Sequence, residues 1–100
     1  MATFIALLTL PNDDSAEPGS LAHKLEEGAP ETRKVLEAHG GKLISIYLTM
    51  GQFDGVAVME FPNTVACAQA MMAFRERFGG GTQTMEAFPE GQWAELAAGI

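Results

Sequence analysis

The sequence predicts an α+β domain in which four strands and two helices follow one another as β-α-β-β-α-β, with one more helix after the last strand. Two apolar runs rich in β-branched and aromatic residues, 42–50 and 53–61, stand so close together that they are expected to pair as strands. Segments with apolar residues at helical spacing flank this pair on both sides. Right-handed crossovers then give a four-stranded antiparallel sheet under two helices, which is a ferredoxin-like fold.

Length and composition favour a single folded domain of 100 residues. Hydrophobic residues make up 47% and charged residues 19%, which is too apolar and too weakly charged for a disordered chain. The formal charge of −7 argues against nucleic acid or an anionic membrane as a partner, since both require clustered positive charge. The first ten residues lack a positive leader and are shorter than a membrane span, so a cytoplasmic protein is expected.

The first strand and first helix are separated by a segment rich in turn-forming residues. Residues 3–10 are expected to form the strand, which ends at the Pro-Asn-Asp-Asp of 11–14. Residues 20–28 allow a short helix capped by Ser20. Because the residue before a proline disfavours helix, the first firm helix is expected to cover 30–39, after Pro30 opens it.

The hairpin formed by 42–50 and 53–61 fixes a register between its strands. With Gly51 and Gln52 as a two-residue loop, Gly51 occupies the position that needs a positive φ. Tyr47 then lies opposite Val56, Ser45 opposite Val58, and Leu43 opposite Glu60.

The remainder of the chain supplies the second helix, the fourth strand and the terminal helix. Asn63 is the expected cap of the second helix, and the glycines at 79–81 are its expected end. Its apolar stripe consists of Cys67, Met71, Phe74 and Phe78. Residues 82–88 read as the fourth strand, and Pro89 opens a helix whose apolar residues are Trp93, Leu96 and Ile100.

The hairpin register divides the side chains between two faces of the sheet. The face expected under the helices carries Ile44, Ile46, Leu48, Met50, Phe53, Ala57, Met59 and Phe61. The other face is expected to carry Leu43, Ser45, Tyr47, Thr49, Asp54, Val56, Val58 and Glu60, with Thr3, Ile5, Leu7, Thr9, Thr82, Thr84, Glu86 and Phe88 from the outer segments. Two helices cannot cover this second face, whose apolar patch is large for a monomer. A second copy packed sheet to sheet about a twofold axis is the expected cover, with a cavity between the sheets.

The stretch "YLTMGQFDGVAVMEFP", preceded by "HGGKL" and followed by a helix and "TMEAF", resembles the GYD-domain family over essentially the whole chain. The family's Gly-x-Tyr-Asp signature maps onto Gly51, Phe53 and Asp54, with Phe in place of the tyrosine and Gly55 completing the turn. The resemblance implies one domain over 1–100 with the dimeric α/β-barrel architecture. Proteins of that architecture include cofactor-independent monooxygenases, decyclising isomerases, haem-binding proteins and non-catalytic barrels, so the fold leaves the function open.

Two residues of the predicted cavity are candidates for proton transfer. Asp54 has two interpretations: a turn residue that accepts hydrogen bonds from Thr49 or nearby backbone, or a carboxylate whose pKa rises in an apolar cavity. Tyr47 orients a substrate oxygen on one interpretation and is an interface aromatic on the other. The candidate ligand-binding residues are Thr49, Ser45, Thr9, Thr84, Glu86, Val56 and Phe88. For Glu60 and Glu86, a salt bridge is the simpler interpretation.

No cofactor or metal site is predicted. His39 is expected to interact with the dipole at its helix C-terminus, while His23 supports no role. Cys67, the only cysteine, excludes an intrachain disulfide and is expected in the core. Three hypotheses follow: a homodimer that binds a small, partly apolar molecule between its sheets, a cofactor-independent monooxygenase or isomerase using Asp54 and Tyr47, or a non-catalytic dimerisation module.

Overall fold

The computed structural model describes residues 1–11 and 20–100, so the predicted turn at 12–14 lies outside the described residues, as does the side chain of the predicted cap Ser20. The strands are β1 (Ala2–Thr9), β2 (Lys42–Leu48), β3 (Gly55–Phe61) and β4 (Gly81–Ala87). The helices are α1 (Ser20–Ala38), α2 (Thr64–Phe78) and α3 (Trp93–Ala98), with a 3₁₀ turn at Glu90–Gln92 before α3.

The strands form one antiparallel sheet in the order β2-β3-β1-β4, which confirms the predicted α+β, ferredoxin-like fold. The predicted pairings of Tyr47 with Val56 and of Ser45 with Val58 are present. The hairpin closes where the Thr49 N–H donates to the Asp54 carbonyl oxygen at 2.9 Å, so residues 50–53 form the loop in place of the expected two. Gly51 has a φ of 121°, as that turn position requires.

One face of the sheet packs under α1 and α2 and forms the core. Small residues let the helices approach the two central strands, since Ala6 pairs directly with Ala57 and both are buried. Larger side chains fill the end of the same face, where the rings of Phe4 and Phe61 meet edge to face at 6.1 Å. The rest of the buried set is Leu36, Leu43, Met59, Cys67, Ala70 and Met71.

Leu43 lies on the opposite face of the sheet from the one predicted, because β2 contains a β-bulge. The register shifts between Leu43 and Ser45, so Leu43 pairs with Met59 and is buried in the core, where the sequence had placed it on the other face. Ile44 is the extra residue and is exposed. A bulge inserts one residue opposite a regular strand, and a one-residue slip exchanges the two faces beyond it.

The register of β4 also places several of its side chains on the opposite face from the one predicted. Phe4 pairs with Glu86 and Ala6 with Thr84, so these β4 side chains share the helix-covered face with the core. The predicted placement of Thr82, Thr84 and Glu86 on the opposite face was therefore wrong. Phe88, also expected there, lies beyond the end of β4.

The first helix is longer than expected because it continues through Pro30. A proline inside a helix removes one backbone donor and disfavours the turn before it. The small residues Gly28 and Ala29 occupy that turn, and the Thr32 hydroxyl donates to the Gly28 carbonyl oxygen at 2.7 Å. The segments predicted as a short helix at 20–28 and a firm helix at 30–39 are thus one element.

Both ends of α2 form as predicted. The Asn63 side-chain oxygen accepts from the Ala66 N–H at 2.8 Å, and Gly79 ends the helix with a φ of 73°. Gly80 also has a φ of 73°, and a Cβ there would lie 2.2 Å from the Thr9 carbonyl oxygen. The glycines therefore allow the chain to pass close to the end of β1 before β4 begins.

The C-terminal helix α3 does not pack into the core. Every residue from Trp93 to Ile100 is exposed, including the apolar stripe of Trp93, Leu96 and Ile100. The connection to the sheet is nevertheless ordered, since the Trp93 Nε1–H donates to the Phe88 carbonyl oxygen at 2.9 Å and the Gln92 N–H to the Pro89 carbonyl oxygen at 2.8 Å.

Candidate functional site

The face of the sheet opposite the helices, which we call the open face, is the first candidate. It carries Thr3, Ile5 and Leu7 of β1, Ser45 and Tyr47 of β2, Val56, Val58 and Glu60 of β3, and Gln83, Met85 and Ala87 of β4. The centre is apolar, because Ile5 pairs with Val58 and Leu7 with Val56. No helix of the described chain covers this face, since the residues of α1 and α2 that pack on the sheet belong to the core on its other side.

Tyr47 and Ser45 give the open face its hydroxyl groups on the β2 side. The Tyr47 side chain is 60% exposed and stands beside Val56, while Ser45 stands beside Val58. The structure therefore brings two of the candidate ligand-binding residues, Ser45 and Val56, together with Tyr47 on one surface. That surface can bury apolar area and offer a few hydrogen bonds at the same time.

Asp54 fixes the end of β1 against the hairpin. Its carboxylate accepts a hydrogen bond from the Leu10 N–H at 2.7 Å, and its own N–H donates to the Leu8 carbonyl oxygen at 2.8 Å. The Thr49 hydroxyl donates to the Phe53 carbonyl oxygen at 2.6 Å and so closes the same turn. These contacts use the Asp54 carboxylate as a structural acceptor at the point where three strands meet.

The remaining candidate residues lie away from Tyr47. Thr9 is exposed at the end of β1, opposite Gly81. Phe88 is exposed beyond β4, and its carbonyl oxygen accepts from the Trp93 indole. Thr84 and Glu86 lie on the other face of the sheet from Ser45 and Val56, so the predicted set does not form one pocket.

A second concave surface, which we call the α2/β4 cleft, lies on the helix side of the sheet and encloses about 340 Å³. One side is the face of α2 that carries Thr64, Cys67, Ala68, Met71, Met72 and Arg75. Phe4 of β1 and Thr82, Thr84 and Glu86 of β4 complete the lining. The cleft exists because two helices do not fully cover four strands, and the uncovered inner side of β4 carries polar residues.

Cys67 lies in the wall of this cleft as an uncharged thiol. Burial raises the pKa of Cys67, and the Glu86 carboxylate raises it further. Both effects oppose the thiolate, which is the nucleophilic form of cysteine. The side chain therefore acts as a small apolar residue, as the sequence predicts.

A groove of about 650 Å³ opens where α1 and α2 meet the ends of β1 and β2. Its lining is largely apolar and includes Leu8, Leu10, Leu25, Phe74 and Phe78. At its edge Glu31 of α1 pairs with Arg77 of α2 at 2.8 Å and with Lys34 at 3.2 Å. The hydrogen bonds from Arg77 and then Lys34 lower the pKa of Glu31, so this carboxylate stays ionised and joins the two helices.

The histidines make local contacts in α1. The His39 Nδ1 lies 3.0 Å from the Val35 carbonyl oxygen near the end of the helix, and His23 lies 3.4 Å from Glu27 one turn along. Within residues 1–11 and 20–100, no group of three His, Cys, Asp or Glu side chains is placed to hold a metal ion. In the same residues, no helix combines the length and the apolar character needed to cross a membrane.

The family model of the GYD domain matches residues 4–97. This chain belongs to the GYD domain family. The match covers nearly all of the described sheet and helices, so the family assignment applies to the whole domain described above.

One relative and one solved structure are similar to this chain. The chain is 36% identical over 90 residues to the "Glutamine synthetase and cystathionine beta-lyase binding protein" of Thermus thermophilus, covering 89% of this chain and 90% of that protein. The crystal structure of FFRP-DM1 superposes with a TM-score of 0.54 at 18% identity, covering 88% of this chain and 100% of that one. The second likeness shows the fold alone. The first is a GYD-type binding protein of the same length.

Sequence reasoning missed the α2/β4 cleft because the register of β4 was unknown. Thr82, Thr84 and Glu86 alternate with Gln83 and Met85, and either set could face the helices. The alternation alone gives no preference, since the inner set is polar and the outer set contains Met85. Only the pairing of Phe4 with Glu86 decides which set lines the cleft.

Proposed function

We propose that this GYD domain is a cytoplasmic, non-catalytic binding protein that pairs with a second copy through its open face and attaches to larger enzymes. The open face supports the pairing. Ile5, Leu7, Val56 and Val58 form an apolar centre on which residues 1–11 and 20–100 place no helix. Sheets bury such faces against other sheets at about 10 Å separation.

The hydrogen bonds that Asp54 makes favour a binding role for this protein over proton transfer by the Asp54 carboxylate. Its carboxylate is engaged by the Leu10 N–H, and its backbone joins the hairpin to β1. A general base needs a carboxylate that is free to take a proton from substrate in a water-excluded site. The hydrogen bonds at Asp54 instead support a role in holding β1, β2 and β3 in register.

The name of a similar protein suggests which class of protein this chain binds. The Thermus thermophilus protein is named for binding glutamine synthetase and cystathionine beta-lyase, and it matches this chain over nine-tenths of both lengths. We infer that this chain binds enzymes of the same two kinds in its own organism.

The test is a binding titration with purified enzymes. Glutamine synthetase and cystathionine beta-lyase from the same organism are titrated against the immobilised chain, with serum albumin as the unrelated control. Saturable binding to either enzyme, at a defined stoichiometry per dimer, is expected. A folded chain that binds neither enzyme at concentrations up to about 1 mM, a very weak affinity, would contradict the proposed partner class.

A small molecule between the paired sheets is a second candidate, favoured by the polar side chains on the open face. The Tyr47 and Ser45 hydroxyls stand next to Val56 and Val58, which suits a partly apolar ligand with one or two polar groups. Native mass spectrometry of the purified protein distinguishes the candidates. A reproducible extra mass on the dimer favours a ligand, and a bare dimer favours side-chain packing across the interface.

A further inference from the structure

Helix α3 and the α2/β4 cleft are two apolar surfaces that face solvent in the single chain. The exposed stripe of α3 consists of Trp93 at 58% and Leu96 at 45% exposure, and Ile100, just beyond the end of the helix, is 105% exposed. The cleft has an apolar interior formed by Phe4, Cys67, Ala68 and Met71. A helix laid into an apolar groove is a common mode of recognition, in which residues spaced three and four apart act as anchors.

The connection between β4 and α3 is ordered by two local hydrogen bonds. The Trp93 indole donates to the Phe88 carbonyl oxygen, and the Gln92 N–H donates to the Pro89 carbonyl oxygen. These two bonds order the linker in a conformation that leaves all of 93–100 exposed. None of residues 93–100 lines the cleft of its own chain.

The open face alone gives a small interface. Four strands about 4.8 Å apart, each about seven residues long, outline a face of about 19 Å by about 23 Å. Two such faces together bury on the order of 900 Å², whereas stable specific interfaces bury about 1,200–2,000 Å². Further contacts between the copies would bring the interface into that range, and the exposed 58% of Trp93 offers part of the about 150–250 Å² that a fully buried aromatic covers.

We propose that α3 of one copy docks into the α2/β4 cleft of the second copy, and reciprocally, within the homodimer of the proposed function. The wall of the cleft runs from Thr64 to Arg75, about 16 Å of helix, which is long enough for the six residues of α3. Residues 88–100 carry Glu90 and Glu95 and no basic residue, and Arg75 offers them a positive charge at the exposed rim. Glu86 lies toward the opposite end, beside Phe4.

The test is a directed disulfide between two distinguishable copies, in a Cys67→Ala background that removes the native thiol. One copy carries Ala68→Cys in the exposed wall of the cleft, and the other carries Leu96→Cys in the stripe of α3. The copies bear different affinity tags, are produced in the same cells and are purified through both tags. Mild oxidation with oxidised glutathione is expected to join the two introduced thiols, as seen on a non-reducing gel and by peptide mass spectrometry.

The matched control moves the thiol to the other side of α3. Ala98→Cys replaces Leu96→Cys, and two residues along a helix turn the side chain by about 200°. Docking predicts at least a tenfold lower yield of the joined product for this control. Equal yields from both positions would overturn the proposal.

Three further outcomes separate the docking of α3 from the homodimer itself. Recovery of the two-tag pair without a disulfide between the introduced thiols overturns the docking and leaves the proposed homodimer standing. Failure to recover any two-tag pair from folded chains overturns both. One chain that carries both thiols and forms the bond within itself, as a monomer, assigns α3 to its own cleft and overturns exchange between copies.

Discussion

The two faces of the sheet come from the same strands but differ in what covers them. On the covered face, Ala6 and Ala57 pair under the helices, and Phe4 and Phe61 close one end. On the open face the neighbouring positions are Ile5 and Val58, which are only partly buried. Neighbouring residues along β1 or β3 thus lie either in a packed core or on an apolar surface that no described helix covers.

The difference indicates that stability and association depend on separate side chains. Buried residues of the covered face stabilise the single chain, because their apolar area leaves water on folding. The β-branched residues of the open face suit a pleated strand, and their remaining exposed area can leave water only when a second surface arrives. Substitutions on one face should therefore alter folding, and substitutions on the other should alter assembly.

The largest effect on folding is expected at Phe61, which is fully buried. Phe61→Ala should lower the free energy of unfolding by about 3–5 kcal/mol, because the lost ring leaves a cavity beside Phe4. Val58→Thr, on the same strand but the open face, should change it by about 0.5 kcal/mol or less in dilute solution. Urea titrations followed by circular dichroism measure both. Equal losses would remove the distinction between the faces.

The hairpin is joined to the end of β1 at Asp54, and substitution of Asp54 tests how much this contact stabilises the fold. Asp54→Ala should cost about 1.5–3 kcal/mol, since a charged acceptor is removed from the Leu10 N–H. Asp54→Asn retains an acceptor oxygen and should cost less than half as much. The measurement is again the free energy of unfolding. An Asp54→Ala chain as stable as the wild type would show that this hydrogen bond contributes nothing.

The rate of alkylation of Cys67 tests whether the thiol on the covered face is buried and uncharged. Its pKa is raised in the folded chain, so folding favours the thiol, and this contribution to stability is present below the unfolded pKa of about 8.5 and is lost as the pH rises through the folded value. Alkylation by iodoacetamide at pH 8 should be at least tenfold slower in the folded chain than in urea. Rates that match in the two states would contradict the buried, uncharged thiol.

The smallest effect is expected at Glu31, which joins α1 to α2 on the surface. Its folded pKa is lowered, so the pairing stabilises the chain above the unfolded pKa of about 4.3 and is lost as the pH falls through the folded value. Glu31→Gln should lower the urea midpoint slightly at pH 7, and this difference should shrink as the pH falls through the folded pKa of Glu31. Glu37→Gln, on the exposed side of the same helix, is the matched control. A difference that does not shrink as the pH is lowered would contradict the ion pair.

Local signals were sufficient for the elements whose contacts are near in sequence. The pairing of Tyr47 with Val56 follows from the short hairpin, and the Asn63 cap follows from a polar residue three positions before the Ala66 N–H that it binds. The bulge at Ile44 could not be predicted, because a run of apolar residues on β2 fits a regular strand equally well. Leu43 was misplaced for that reason alone.

Contacts between segments far apart in the sequence determine the features that the sequence did not predict. The face of β4 depends on its register with β1, which is 72 or more residues away and is set by tertiary packing. Thr84 and Glu86 therefore moved from the predicted pocket to the α2/β4 cleft. Continuation of α1 through Pro30 likewise depends on packing against α2 and β2, which local propensity does not include.

The central claim, that the open face joins two copies, is tested most directly by the molecular mass in solution. Light scattering during size-exclusion chromatography, at protein concentrations from about 1 to 100 μM, spans the affinities expected of a specific homodimer. The wild-type chain should elute at twice the chain mass of 10.7 kDa. Val58→Glu should elute as a folded monomer, because a buried unpaired charge opposes pairing, while Val65→Glu on the exposed side of α2 should remain dimeric. A wild-type chain that stays monomeric throughout, or a Val58→Glu dimer as tight as the wild type, would contradict the account.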